Sequence, residues 1–288
     1  MLKKRPGLAT YIFGIFLLAG IGCLSLYKLA DITIFPETTA FYSGKGTAIE
    51  LATCPAFTEF SHPKPLLDVF TLLSWNVYKF QSQGWAQEIQ HAAQQNQLIL
   101  LQEAVIKPST RAMWKDYQYG WLIAAAFSDK EAVMGAQLLY QGAPLKACVT
   151  KYQEPWIVFP KTALAAVFPI ADKALLVVNI HGVNFTYDDE DLQRQLDPLL
   201  LMVQQHQGPV IFAGDMNTWS QSRSELLDKG LSQLGLKTVS LADDQRSQFW
   251  GYPLDHVYYR GLKLEQATVK PTQASDHHPI QARFKLLD

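Results

Sequence analysis

The stretch Pro209-Val210-Ile211-Phe212-Ala213-Gly214-Asp215-Met216-Asn217 decides how this chain is read. Val210, Ile211 and Phe212 make a short apolar run, with Pro209 before it and Gly214 after it. A run of that length bounded by turn residues reads as a buried strand. Asp215 and Asn217 follow directly, so a carboxylate and an amide stand where the strand ends.

The arrangement recurs in both directions. Leu72-Leu73-Ser74-Trp75 and Leu98-Ile99-Leu100-Leu101 read as strands, and between them Trp85, Ile89 and Ala93 recur at the spacing of a covering helix. Ala174 to Ile180 is a further strand, and Leu192, Leu196, Leu199, Leu200 and Val203 form a helical stripe. Ser220 to Leu234 reads as a helix, and Leu254 to Tyr259 and Pro279 to Phe284 as closing strands. This alternation places the chain in the α/β or α+β class with covered sheets. The 288 residues are 48% hydrophobic and 18% charged, which excludes disordered and low-complexity classes. Three cysteines without a Cys-x-x-Cys pair exclude a disulfide scaffold and a zinc ribbon.

The N-terminus has a different texture. Lys3, Lys4 and Arg5 precede an apolar run from Leu8 to Leu26, and no further charge appears before Lys28. About 20 apolar residues span a bilayer as a helix. Residues 8–30 are therefore expected to be a transmembrane anchor, and the basic residues 1–7 a cytoplasmic tail. The expected setting is a bacterial inner membrane crossed once, with the C-terminal domain in the periplasm. A cleaved signal peptide and lipidation at Cys23 are the rival readings. Residues 31–66, with Pro36, Pro55, Pro63 and Pro65 and no sustained periodicity, read as a linker, and 67–288 as the folded domain. Four of the 25 basic residues and none of the 26 acidic ones lie in the first 30, so the remainder carries a net charge of −5. Such a domain gains little from counterion release on a polyanion. Cys54 and Cys148 either pair in an oxidising compartment or stay as buried thiols.

Polar residues collect where the strands end: Asn76, Glu103 after Gln102, His181 in Asn179-Ile180-His181, Asp215 with Asn217, Asp255, and Asp276-His277 after Ser275. Singly, each has an ordinary reading. Asn76 suits a turn, Asp215-Met216-Asn217 an Asx-turn, and His181 a hydrogen-bonded core position. As an ordered set they resemble the endonuclease/exonuclease/phosphatase superfamily, from about residue 67 to the C-terminus. The anchor, Trp75-Asn76, Leu100-Leu101-Gln102-Glu103-Ala104, Val178-Asn179-Ile180-His181, Asp243-Asp244-Gln245-Arg246 and Tyr259-Arg260-Gly261 are together similar to its YafD-like membrane-anchored bacterial branch.

The resemblance implies an α+β four-layer sandwich, two mixed β-sheets face to face with helices outside. It also implies roles. Glu103 would be the main Mg²⁺ ligand, with Asn76 and Asp276 close by and Mn²⁺ as a possible substitute. Asp215 would orient or deprotonate the attacking water, and Asn217 would hold it in register. His277, oriented by Asp255, and His181 would donate to phosphoryl oxygens. These residue types suit the chemistry, because an anionic phosphodiester repels a nucleophile until cations and donors offset its charge. Glu131 is the expected carboxylate partner of His181, and Arg246 and Arg260 are expected at phosphate or in salt bridges. The function implied is a metal-dependent phosphodiesterase, by default a nuclease acting on nucleic acid. A lipid phosphodiesterase is the alternative, for which residues 111–127 read either as an exposed apolar loop or equally as core. An inactive anchored binding module is the third reading.

Overall fold

The computed structural model describes residues 31–44 and 47–287. Five short strands come first: β1 (Ile32–Ile34), β2 (Thr39–Tyr42), β3 (Ala48–Glu50), β4 (Ala52–Thr53) and β5 (Thr58–Glu59). Then follow β6 (Val69–Asn76), α1 (Trp85–Gln95), β7 (Leu98–Ile106), α2 (Pro108–Asp116), β8 (Gly120–Asp129), β9 (Ala132–Tyr140) and β10 (Lys146–Tyr152). The second half holds β11 (Lys161–Ile170), β12 (Lys173–His181), α3 (Glu190–Gln205), β13 (Val210–Asp215), α4 (Gln221–Gln233) and β14 (Lys237–Thr238). It closes with a small hairpin of β15 (Gln248–Phe249) and β16 (Tyr252–Pro253), then β17 (Asp255–Arg260), β18 (Leu262–Val269) and β19 (Ile280–Leu286).

One sheet runs β18-β19-β6-β7-β9-β8-β2-β3, with β1 along β8, and the other runs β14-β17-β13-β12-β11-β10-β4, with β5 along β10. The pairs β6–β7 and β12–β13 are parallel within otherwise largely antiparallel ladders, so both sheets are mixed. The apolar runs are continuous rather than alternating because both faces of each sheet are covered. Phe70 and Leu72 of β6, Leu175 and Val177 of β12, and Ile211 and Ala213 of β13 meet in the core between the sheets. Their neighbours Leu73 and Trp75 pack under α1 and α2, while Leu176, Val178 and Phe212 pack under α3 and α4. Period-two alternation thus builds the helix–sheet–sheet–helix sandwich. Ser220 caps α4, its Oγ accepting from Arg223 N at 3.3 Å.

One expectation changes, one open alternative is decided and one strand is added. Residues 31–66 are not a linker: β1, β2 and β3 extend the first sheet and β4 and β5 the second, so this segment fastens both. Its prolines lie in the connections between these short strands and ahead of β6. Of the two readings of residues 111–127, exposed loop or core, the structure shows core. Trp114, Tyr119 and Trp121 are buried in the cluster between α2 and β8, because the helix needs an apolar face against the sheet. Strand β18, which the sequence did not disclose, follows β17 at an edge where exposed and partly buried residues alternate. The expected anchor at 8–30 and tail at 1–7 lie outside the described residues, among which no helix is long and apolar enough to cross a membrane.

Cys54, just after β4, is joined to Cys148 of β10 by a disulfide across a separation of 94 residues, with both side chains buried. The denatured, unreduced full chain should therefore show at most one reactive thiol, from Cys23, and more only after reduction. The double variant Cys54→Ala/Cys148→Ala should lose about 2–5 kcal/mol of stability in denaturant unfolding. Two additional thiols before reduction would contradict the pairing.

Candidate active site

The inner faces of the two sheets end in polar residues at the same end of the sandwich. By alternation, Asn76 shares a face with Phe70 and Leu72, Gln102 with Leu98 and Leu100, Asn179 and His181 with Leu175 and Val177, and Asp215 with Ile211 and Ala213. The site continues the hydrophobic core, with the apolar layer giving way to a polar one at its rim.

The lowest polar layer joins the sheets. Asn179 Oδ1 accepts from Gln102 Nε2 at 2.7 Å, and Asn179 Nδ2 donates to Leu101 O at 3.0 Å and Gln137 O at 2.8 Å. Above it, Asn76 Nδ2 donates to Asp215 Oδ2 at 2.8 Å, and Asn217 N donates to Asp215 Oδ1 at 3.1 Å. Asn217 Nδ2 ties that loop to Gly182 O at 2.9 Å. His277 Nδ1 donates to Asp255 Oδ2 at 2.7 Å, and His277 Nε2 lies 3.8 Å from Asp215 Oδ2. Trp75 Nε1 donates to His277 O at 2.9 Å, and Ser275 Oγ donates to Asn76 O at 2.7 Å, which sews the loop before β19 onto β6.

Local backbone geometry aims several of these groups. Strand β7 slips register against β9 between Leu101 and Ala104, and Glu103 in that bulge has φ 53°. Simple alternation would place Glu103 with Ile99 and Leu101 under the helices; the extra residue turns it to the site instead. Tyr78, Lys79 and Phe80 form a turn with three successive positive φ values, 45°, 56° and 56°, and Asn217 has φ 49°. Such clustering of costly backbone is characteristic of functional sites. Gly214 has φ 145°, and a Cβ there would meet Ile180 O at 1.9 Å, so only glycine lets β13 lie this close to β12 before Asp215.

Burial pushes the Asp215 carboxyl up to about 6, opposed by His277 and reinforced by Asp255. Burial alone would lower His277, but the Asp255 and Asp215 carboxylates beside it override this and hold it at about 10. His181 is held well below the usual imidazole range by burial and by Lys161, His277 and Lys79. Lys161 Nζ donates to His181 Nε2 at 2.6 Å, and an ammonium has only donors, so this ring is neutral with its proton on Nδ1.

The structure brings Asn76, His181, Asp215, Asn217, Asp255 and His277 together, with Glu103 Oε1 3.9 Å from His181 Nε2. Asp276 is exposed beside them, its Oδ1 accepting from Ser275 Oγ at 3.2 Å. Glu131 is not the partner of His181: it is exposed in the turn between β8 and β9, and Lys161 takes that place. Arg260 donates to Leu234 O, Val203 O and His206 O, closing the ends of α3 and α4, and Arg246 pairs with Asp244 at 2.6 Å. His256 bonds Thr218 at 2.6 Å, and burial, with Arg246 beside it, lowers it to about 3. Sequence reasoning missed Lys79, which pairs with Glu103, as well as Lys161 and Arg223. Buried Arg223 donates to Asn217 O at 2.8 Å, to Thr186 Oγ1 at 3.1 Å and to Val183 O, clamping two site loops. None of the three lies in a motif or a periodic stripe, so no local signal marks them.

Two groups bear on a cation. Asp215, Asp255 and His277 place their ligand atoms within 4.8 Å of one another. A protonated His277 hydrogen-bonded to Asp255 has no lone pair to offer, so this trio suits proton handling better. Glu103 and Asp276 offer hard oxygen donors of the kind Mg²⁺ takes, and the Glu103 carboxylate already draws a cationic group, Lys79. Asn76 Oδ1 accepts from Tyr78 N at 3.1 Å and keeps a second lone pair. The residues fit a divalent ion at Glu103. Beside it opens a cavity of about 240 Å³ lined by Lys79, Lys161 and His181 and walled by Phe127 and Phe159.

The sequence profile of the Endonuclease/Exonuclease/phosphatase family matches residues 73–277. A UPF0294 protein of Vibrio cholerae is 37% identical over 295 residues, covering 100% of both chains. Another, from Yersinia pseudotuberculosis, is 37% identical over 77% of this chain and 86% of its own. Among solved structures, an endonuclease/exonuclease/phosphatase family protein from Leptotrichia buccalis superposes with TM-score 0.60 at 14% identity, over 76% of this chain and 100% of its own. ANGEL2, described as a 2′,3′-cyclic phosphatase, superposes with TM-score 0.58 at 15% identity, over 80% of this chain and 98% of its own. At these identities the structural likeness speaks to fold.

Two measurements check the site in the metal-free chain. A His277 raised from 6.5 to about 10 stabilises the fold fully below pH 6.5, and that contribution is lost as pH rises through about 10. Stability should thus fall across this window, and Asp255→Asn should flatten the fall; an unchanged slope would refute the pairing. Asn179→Ala should destabilise by about 1–3 kcal/mol for each buried partner left unsatisfied, read by urea unfolding.

Proposed function

The chain belongs to the endonuclease/exonuclease/phosphatase family, and from that premise we propose that it hydrolyses phosphodiesters with the help of a divalent metal ion, by direct in-line attack of water. The observation that carries this reading is the Asp215 carboxylate, buried, held by Asn76 and Asn217, and poised near 6 beside the charged Asp255–His277 pair. A base with that pKa is ionised at neutral pH yet still accepts a proton readily. The water oxygen forms a bond to phosphorus as the bond to the leaving oxygen breaks, and the water's proton passes to Asp215. The His277 imidazolium hydrogen-bonds a non-bridging oxygen, with Asp255 fixing its ring. Lys161 supplies a second cation at the same end, through His181 or on the phosphate itself. A divalent ion held by Glu103, with Asp276 and Asn76 beside it, would add Lewis-acid charge at the phosphoryl oxygens.

Nucleic acid is the first substrate class to test and lipid phosphodiesters the second. Plasmid DNA, single-stranded DNA, RNA, a chromogenic bis-phosphodiester and sphingomyelin should be offered with Mg²⁺ and with EDTA. Turnover should require the metal and fall strongly in Glu103→Ala. Asp215→Asn should lose about 10²–10⁴-fold in rate with an unchanged far-UV spectrum. The wild-type rate should rise as pH increases through about 6, where Asp215 ionises. Full activity in Asp215→Asn would remove the assignment, and a folded chain that cuts none of these with any metal would leave a binding module as the better description.

A further inference from the structure

Large apolar side chains left in water are unevenly placed on this molecule. Trp156 and Val158 project from the β10–β11 connection, Phe185 and Tyr187 from the segment after β12, and Phe249 and Trp250 from the β15–β16 hairpin. Tyr187 is 77% exposed and Trp250 76%. All three connections leave the sheets at the catalytic end: β11 is antiparallel to β12, and β17, which follows the hairpin, pairs Asp255 with Asp215. The rings form two groups, Trp156 with Tyr187 at 4.5 Å and Phe249 with Trp250 at 4.8 Å. Exposed aromatic groups at the rim of a functional site mark an interaction surface.

Charge narrows the partner. The site lysines turn inward, Lys79 to Glu103 and Lys161 to His181, and do not form an outward track. The aromatic connections carry Asp188 and Asp189 on one side, and Asp243 and Asp244 lie just ahead of the hairpin on the other. A platform for single-stranded nucleic acid interleaves aromatic rings with cations, whereas here the aromatic connections carry carboxylates and the exposed Lys107 and Lys130 stand apart from them, after β7 and β8. Aromatic side chains with an apolar body and a polar edge suit the boundary of a lipid bilayer.

Topology points the same way. Strand β1 pairs Ile32 with Asp129, and Lys130 N donates to Asp31 O at 3.2 Å, so the chain enters the fold at the β8–β9 turn. That turn is at the catalytic end, because β9 runs antiparallel to β7 with Val133 opposite Ile106. The apolar run Leu8 to Leu26 stands five residue steps ahead of Asp31. Five steps reach at most about 18 Å. With that run in a bilayer, the catalytic end would be the part of the domain held against the membrane.

We propose that the catalytic end of the sandwich is a bilayer-docking face, its two aromatic groups seated in the lipid interface and the site opening toward the headgroup layer. The inference rests on surface, topology and the anchor expected at residues 8–30, and is independent of the hydrolytic reading. The test uses the full chain reconstituted in phosphatidylcholine vesicles with brominated acyl chains, which quench tryptophan on contact. All seven tryptophans lie beyond residue 30, so quenching reports on the folded domain alone. The expected result is a loss of emission relative to unbrominated vesicles that disappears in Trp156→Phe/Trp250→Phe, which keeps the apolar surface and removes the reporters. No quenching in the wild type would overturn the proposal. Quenching that persists undiminished in the double variant would also overturn it, since another face would then touch lipid. If a single-stranded oligonucleotide shifts Trp156 and Trp250 emission while brominated lipid does not, the rim is a strand platform and the proposal fails.

Discussion

The amide of Asn179 holds the two sheets together where it matters most. It accepts from Gln102 and donates to the carbonyls of Leu101 and Gln137, so one side chain on β12 bonds three residues of the opposite sheet. A buried amide left unpaired costs far more than a paired one returns, so this contact admits only a narrow range of sheet separations. The Leu101 carbonyl it uses lies at the edge of the β7 bulge that turns Glu103. The contact that spans the sheets and the bulge that turns the candidate metal ligand therefore adjoin each other.

Above that layer the site is an exercise in keeping charge buried. Asp215 and Asp255 lie opposite each other across β13 and β17, and two neighbouring carboxylates in a dry setting repel. A single imidazolium at His277 serves both, by hydrogen bond to one and by proximity to the other. Asn76, Asn217 N and the Trp75 indole fix this arrangement without adding net charge. Lys79 and Lys161 extend the pattern outward by answering Glu103 and His181.

The segment ahead of β6 ties this end of the sandwich to the rest. Its strands extend both sheets, and the Cys54–Cys148 disulfide fastens it to β10. Chain entry beside the β8–β9 turn, the aromatic connections and the candidate site share one end of the sandwich. Placement of substrate and placement of the domain thus become linked questions.

Much of this was legible in the residues. Apolar runs ending in Asn76, Glu103, His181 and Asp215 fixed the order of core strands, because burial on both faces leaves a local record in the sequence. The residues gathered at the strand ends were equally visible, since a polar group after an apolar run needs a partner. The bulge at Glu103 left no such record, because alternation up to Gln102 aims Glu103 under the helices and only pairing with β9 corrects it. The same holds for Lys79, Lys161 and Arg223, whose partners come from distant segments, and for residues 31–66, whose strands are too short to show a period before a sheet edge receives them. The sequence by itself determined which long apolar runs form the central strands and which of them end in polar groups, because those preferences act over a few residues. Only the tertiary structure decided which charges face each other, which way Glu103 turns and where the exposed rings gather, because each depends on contact between segments far apart in the chain.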